Sequence, residues 1–345
     1  MSSQTSHRGR PQRISRRSFL QGSLAVSALG AVGVRSARAA AGPIVLRFGA
    51  GQEPTSANVQ AMGLFRDELG KLSGGQFKVE VYPSGQLGSF LQCMEAVQMG
   101  TQQMQVITPA IASLLMKKLD VMSLLFLASS QEKMFAAVDG EFGKRLNGIA
   151  EDAGFKILTW WDCGPRSFLN NRNPINTPAD LRGLKMRVLE SPIWLKTMAA
   201  LGAIPTVIDF RELFTALQQH VIDGYEGIDT DIYQFSMYQV VKYYSLSNHL
   251  YDVFAVFINK GLADSFSPEQ QKMITEAMRT ATAWQRKTQA ADIEECREKL
   301  KKLMQVNEIS PANRQLFVEK VRPLYKEFEK DIGKDLIDEA IKAMG

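Results

Sequence analysis

Arg187 is the residue whose placement most needs a chemical reason. It lies in Lys185-Met186-Arg187-Val188, where the pattern predicts an interior strand over 185–189. Arginine is rarely buried without an anionic partner. A carboxylate meets its planar guanidinium through two parallel N–H bonds, whereas lysine offers only a point charge. Two uses fit: capture of a small anion, or internal pairing with Glu190, Asp209 or Glu212. The spacing alone does not choose between them. Upstream, Trp160-Trp161-Asp162-Cys163-Gly164-Pro165-Arg166 sets a second arginine behind two tryptophans, which fit core or cleft packing better than a cofactor platform. Tyr225 could wall a cleft or merely cover the Asp223-Gly224 turn. Glu226 and Asp229 could cap the helix expected there or touch a ligand, and Asp180 reads as a helix N-terminal acid.

Catalytic patterns are missing from the sequence. It contains no G-x-S-x-G, H-E-x-x-H, P-loop or G-x-G-x-x-G. Of its three histidines, His220 and His249 lie in the body of the chain, and neither has a nucleophile beside it in sequence. Cys93, Cys163 and Cys296 form an odd set without C-x-x-C spacing, read as three separate buried thiols. A closed zinc site or an iron–sulfur cluster is hard to assemble from so few ligands. No cofactor or metal is expected, and the chain does not read as an enzyme.

The elements that must hold these residues alternate. The chain has 345 residues, 45% of them hydrophobic and 22% charged, an ordinary globular composition at a length that suggests two domains. Ile44, Leu46 and Phe48 alternate with polar or outward residues, as do Phe77, Val79 and Val81, so both runs predict strands. Between them, Val59, Met62, Phe65, Leu69 and Leu72 recur at helical spacing behind Thr55-Ser56. Further strands are expected near 104–108, 157–161, 185–189, 204–208 and 251–259. Gly164-Pro165 is read as breaking the strand at 161, and a helix is expected over 229–244. Ser267-Pro268-Glu269-Gln270 is a capping box that opens a long helix to about Met304, and two more helices follow near 312–330 and 335–343. Strand–helix–strand order at this spacing argues for an α/β fold with a mainly parallel sheet.

The N-terminus stands apart. All seven arginines before residue 40 lie there with no acid; without them, 34 basic residues face 36 acidic ones, so the net charge of +5 belongs to one end. Arg16-Arg17-Ser18-Phe19-Leu20 precedes an apolar run over 24–34 and then Ala37-Arg38-Ala39. Charged, apolar, A-x-A is the order of a secretory signal; the paired arginines make it the twin-arginine type, with cleavage expected after Ala39. A basic arm for nucleic acid would need neither the apolar run nor the A-x-A, so no nucleic-acid partner is expected.

Several stretches together resemble one family, the solute-binding proteins of tripartite ATP-independent periplasmic (TRAP) transporters, also described as C4-dicarboxylate-binding or DctP-like. They are Tyr82-Pro83-Ser84-Gly85-Gln86-Leu87-Gly88, Pro178 to Val188, Ala200 to Thr206, Thr215 to Gly224, and Ser247-Asn248-His249. The resemblance implies a two-lobed, type II-like α/β periplasmic binding protein with crossing hinge strands and a long connecting helix. It implies lobe I at 40–164 plus about 251–290, lobe II at 165–250 plus part of the C-terminal helices, and a packing segment at 291–345. It also implies a receptor that closes on a small organic acid, acts as a monomer, and hands its ligand to large and small membrane subunits for ion-gradient-driven uptake. By the same resemblance the carboxylate clamp falls on Arg187, a second arginine on Arg166, the aromatic wall on Phe210, and the other lobe's lining on Thr108 and the loop with Glu53. Tyr225, Glu226, Gly227 and Glu190 complete the expected site. Where the family usually has Asn after the Asp223-Gly224 turn this chain has Gly227, where it often has Asn three residues after the arginine it has Glu190, and His220 replaces a common Gly. Fewer amide donors and an added carboxylate suit a ligand rich in hydroxyls, such as a uronate or aldonate, or one bearing an amine. The alternatives are an exported cofactor-containing enzyme and an accessory protein that presents ligand to a sensor.

Overall fold

The alternating runs do become strands. In the computed structural model, which describes residues 42–189 and 191–345, β1 (Ile44–Gly49) and β2 (Phe77–Tyr82) pair in parallel, Leu46 beside Val79. The leader and Glu190 lie outside the described residues. The amphipathic segment between the two strands is helix Ala57–Ser73, capped by the Ser56 side chain and closed by Gly74 at φ 57°. Its Met62, Phe65 and Leu69 are fully buried against Leu46 and Phe48, one of three apolar clusters on the sheet.

β3 (Met104–Ile107) pairs with β1, also in parallel. Then come the two long strands, β4 (Phe155–Asn170) and β8 (Tyr243–Asn259), antiparallel to each other. On their far side lie β5 (Lys185–Val188), β6 (Ile204–Val207) and β7 (Gly224–Gly227), with β5 parallel to both β6 and β7. The described strands form one sheet in the order β2-β1-β3-β8-β4-β7-β5-β6, with β9 (Gln305–Glu308) joined to β8. Parallel pairing therefore holds at both ends of the sheet, and the two long strands cross its middle. Helix Pro268–Leu303 runs along β4 and helix Ala57–Ser73, opened by the expected capping box: Ser267 Oγ accepts from Gln270 N and Gln270 Oε1 from Ser267 N.

Three local readings change. β4 is not broken at Gly164-Pro165; it continues, with register shifts at Ile157/Thr159, Asp162/Gly164 and Arg166/Phe168 and with Gly164 at φ 107°. A β-bulge absorbs the irregularity that glycine and proline announced. The helix expected over 229–244 stops at Gln234, because Ser236 turns left-handed at φ 55°, and the chain enters β8 at Tyr243. The helical stretch near 312–330 is divided into Pro311–Val321 and Tyr325–Ile332 by a tight turn at Arg322-Pro323. Cys93, Cys163 and Cys296 are free and buried, as expected.

Candidate ligand-binding site

Met186 and Val188 are fully buried in the sheet's apolar packing, so strand alternation sends Arg187 to the other face. There it is 3% exposed and lines a cavity whose opposite wall carries Thr108 and Gln52. Its Nε donates to the Ile208 carbonyl at 2.9 Å, which fixes the guanidinium at the strand end. Among the described residues no carboxylate lies within salt-bridge distance of it. Asp209, one expected internal partner, pairs with Arg211 at 3.0 Å and caps the Phe210–Glu212 turn. Glu212 is exposed and in none of the salt bridges among the described residues. Burial pushes Arg187 down to about 10, with Glu226 pulling the other way. It stays a cation at neutral pH, with both terminal nitrogens uncommitted among the described residues.

Arg166 lines the same cavity in a different state. Its Nε meets Glu226 Oε2; Nη2 donates to Glu226 Oε1 at 2.9 Å and to the Glu226 carbonyl at 3.2 Å; Nη1 donates to Asp252 Oδ2 at 3.2 Å. Four of its five N–H groups are therefore taken. Burial pushes Glu226 up, but Arg166 and His249 outweigh it and hold the carboxyl below its ordinary value. Asp252 goes the other way, to about 6, because burial exceeds the help from Arg166. Glu226 thus takes the larger share of the guanidinium. His249 packs its ring on Phe168 at 4.4 Å and binds Ser247 through Nδ1 at 2.8 Å; burial lowers its pKa.

Phe210 follows the Asp209 cap, edge-on to Phe235 at 5.0 Å, with the Arg187 guanidinium 5.9 Å from its ring centre. Three adjoining cavities, of about 70, 200 and 250 Å³, share Phe210 and Phe90 as walls. Arg187, Arg166, Phe210 and Thr108 meet in the smallest; Glu53 lines the 200 Å³ one and accepts from Ser84 Oγ at 3.0 Å. Tyr225 and Gly227 lie off this lining. A Cβ on Gly227 would sit 2.8 Å from the Tyr225 ring, so the ring occupies the space that a side chain there would need. Asp229 is held by Arg297 at 2.8 Å. His220 is exposed at φ 56°, a conformation in which glycine is at ease. The reading of single residues missed Phe90, Phe235, Asp231 and Asp252. Asp231 stands two residues beyond Asp229 on the same short helix, and that repeat was the available signal.

A larger groove of about 700 Å³, lined by His220, Tyr238 and Lys302, shares no residue with this cleft, and its lysines are exposed. Among the described residues no group of three or more His, Cys, Asp or Glu is placed to hold a metal, and no helix is long and apolar enough to cross a membrane.

Residues 48–331 match the family described as bacterial extracellular solute-binding protein, family 7 (DctP). The chain belongs to that family. Residues 13–33 match the twin-arginine translocation signal, which with the family places this solute-binding protein in the periplasm. The C4-dicarboxylate-binding protein DctB of Bacillus subtilis is 29% identical over 286 residues, 82% of this chain and 81% of that protein. The galactonate complex of the sugar-acid-binding protein DctPAm from Advenella mimigardefordensis superposes with a TM-score of 0.84 at 30% identity, covering 88% of this chain and 98% of that one. A TRAP periplasmic solute-binding protein from Roseobacter denitrificans with bound β-D-glucuronate gives 0.84 at 29% identity, covering 87% and 100%. These likenesses bear out the two-lobed α/β fold expected from the sequence.

Proposed function

We propose that this family 7 protein captures a sugar acid in the Arg187 cleft and delivers it, unaltered, to the membrane subunits of a TRAP transporter. The observation that carries the reading is a buried guanidinium, facing a cavity, with its terminal nitrogens unclaimed among the described residues. Arg187 takes the ligand carboxylate in a bidentate pair. Arg166 contributes its one remaining N–H and, through Glu226 and Asp252, a fixed polar wall. Phe210 packs on the carbon skeleton, and Thr108 and Glu53 close from the opposite side. Charge-assisted hydrogen bonds net about 1.5–3 kcal/mol each, while micromolar binding takes about 8 kcal/mol. One arginine is insufficient, so enclosure supplies the remainder. The proteins that bind galactonate and β-D-glucuronate support a sugar acid as one ligand class that this scaffold takes, beside the succinate held by others.

Calorimetry of the mature protein with D-galactonate and D-glucuronate tests this. Arg187→Lys keeps the charge and loses the fork, and should weaken binding at least tenfold; Arg187→Ala should abolish it. Both variants should keep the fold, and Arg187→Ala should melt no lower than the unliganded wild type, because a desolvated cation has been removed. Wild-type affinity in Arg187→Ala would end the clamp.

A further inference from the structure

The clamp leaves one group in the cleft unused. Asp231 lies in the first turn of helix Asp229–Gln234, part-exposed, and lines the cavity beside Arg187 and Arg166. Its neighbours are spoken for. Arg166 is committed to Glu226 and Asp252, and Arg297 to Asp229. Among the described residues the Asp231 carboxylate has neither a hydrogen-bond donor nor an ion-pair partner. Burial pushes it up to about 6 against the pull of Arg166, with Asp252 and Glu226 adding to the rise.

The charges around the cavity decide what can enter. Arg187 and Arg166 stand against Glu226, Asp252 and Asp231. A monocarboxylate on Arg187 finds one cation not yet matched by an acid. A second carboxylate on the same small molecule meets Asp231 with no cation left to receive it. Like charges held in one partly desolvated cavity repel. A hydroxyl, by contrast, gives the unpartnered carboxylate the donor it lacks.

We infer that Asp231 is the specificity residue of this cleft: it accepts hydrogen bonds from the hydroxyls of a polyhydroxylated monocarboxylate and turns dicarboxylates away. The inference rests on the Arg187 reading above and adds what the far end of the ligand must be. Related proteins on the same scaffold include C4-dicarboxylate binders, so the scaffold alone does not impose this choice.

The test is calorimetry of the mature wild type, Asp231→Asn and Asp231→Ala with D-galactonate, D-glucuronate, succinate and γ-aminobutyrate. The wild type should prefer a sugar acid to succinate by at least 100-fold. Loss of one hydrogen bond to a charged acceptor corresponds to roughly 10–100-fold in affinity. Asp231→Ala should lose that much for the sugar acid. Asp231→Asn should lose less, and in both variants succinate should gain, so the preference collapses. An unchanged sugar-acid-to-succinate ratio in both variants would overturn the inference while leaving the clamp standing. So would a wild type that prefers succinate, or one that takes γ-aminobutyrate above every polyol acid. Failure of the clamp reads differently: the wild type binds an acid, and Arg187→Ala binds it equally well.

Discussion

Two arginines of one type, both buried, both on the cavity wall, differ only in their neighbours. Arg166 is matched by Glu226 and Asp252, sixty and eighty-six positions along the chain. No local pattern around Arg166 could reveal that, which is why the sequence offered both residues as ligand contacts. Arg187 stood out as an arginine on an interior strand, but its spacing left anion capture and an internal pair both open, and only the family resemblance chose between them. Asp162 was not legible as anything special, yet it is 3% exposed and, among the described residues, its donors are Gln131, at 3.0 Å, and neighbouring backbone N–H. Burial pushes its carboxyl from 3.8 to about 7, with Arg286 opposing. A raised carboxylate pKa means that the folded chain holds a proton that the unfolded chain releases between these values. Stability therefore falls as pH rises through that window, and the deficit is complete above it. Asp162→Asn keeps the acceptor for Gln131 and removes the charge. The variant and wild type should melt alike at pH 4, and the variant should melt several degrees higher at pH 8. Equal melting differences at the two pH values would remove the buried-charge account of this residue.

Elements were legible wherever a short-range rule acts alone. The capping box at Ser267 and Gln270, the Ser56 cap and the alternation of β1 and β2 each depend on neighbours within a few residues. The exceptions are elements kept in place by distant partners. β9 has four residues and forms because β8 lies open beside it, Tyr244 against Val306. β4 survives Gly164-Pro165 because β8 and the long helix hold it on both sides. Gly164 is then the point where packing is least forgiving. At φ 107° it is in a conformation that side chains resist, and a Cβ there would lie 2.7 Å from Ile293 Cδ1 on that helix. Gly164→Ala should cost about 1–3 kcal/mol in backbone strain, with overpacking adding to it. Pairing it with Ile293→Ala relieves only the contact. Urea denaturation should therefore place the double variant, corrected for the loss of Ile293 alone, between wild type and Gly164→Ala. Full recovery would mean that the backbone conformation carries no cost.

At the scale of the molecule, the cleft lies where the two ends of the sheet face each other across β4 and β8. The cavity at Arg187 holds about 70 Å³ and adjoins two others, of about 200 and 250 Å³, that share Phe90 and Phe210 with it. A sugar acid of a dozen heavy atoms spans more than the smallest of them, and it touches Thr108 and Arg187 together only when the two walls stand close. Closure on the ligand would turn on a hinge in the two long strands, which are the covalent and hydrogen-bonded link between the sides. Trp194 is suited to report it: the indole is 1% exposed, its Nε1 has no partner among the described residues, and Arg166 stands 5.8 Å from its ring. Saturating D-galactonate or D-glucuronate at about 100 times Kd should add about 2.7 kcal/mol of stability, change the tryptophan emission, and reduce the radius of gyration in solution scattering. If Arg187 clamps the ligand as proposed, Arg187→Ala should lose all three responses together. A higher Tm with an unaltered radius of gyration would mean that the ligand enters a cleft already shut, and the hinge would have no part in binding.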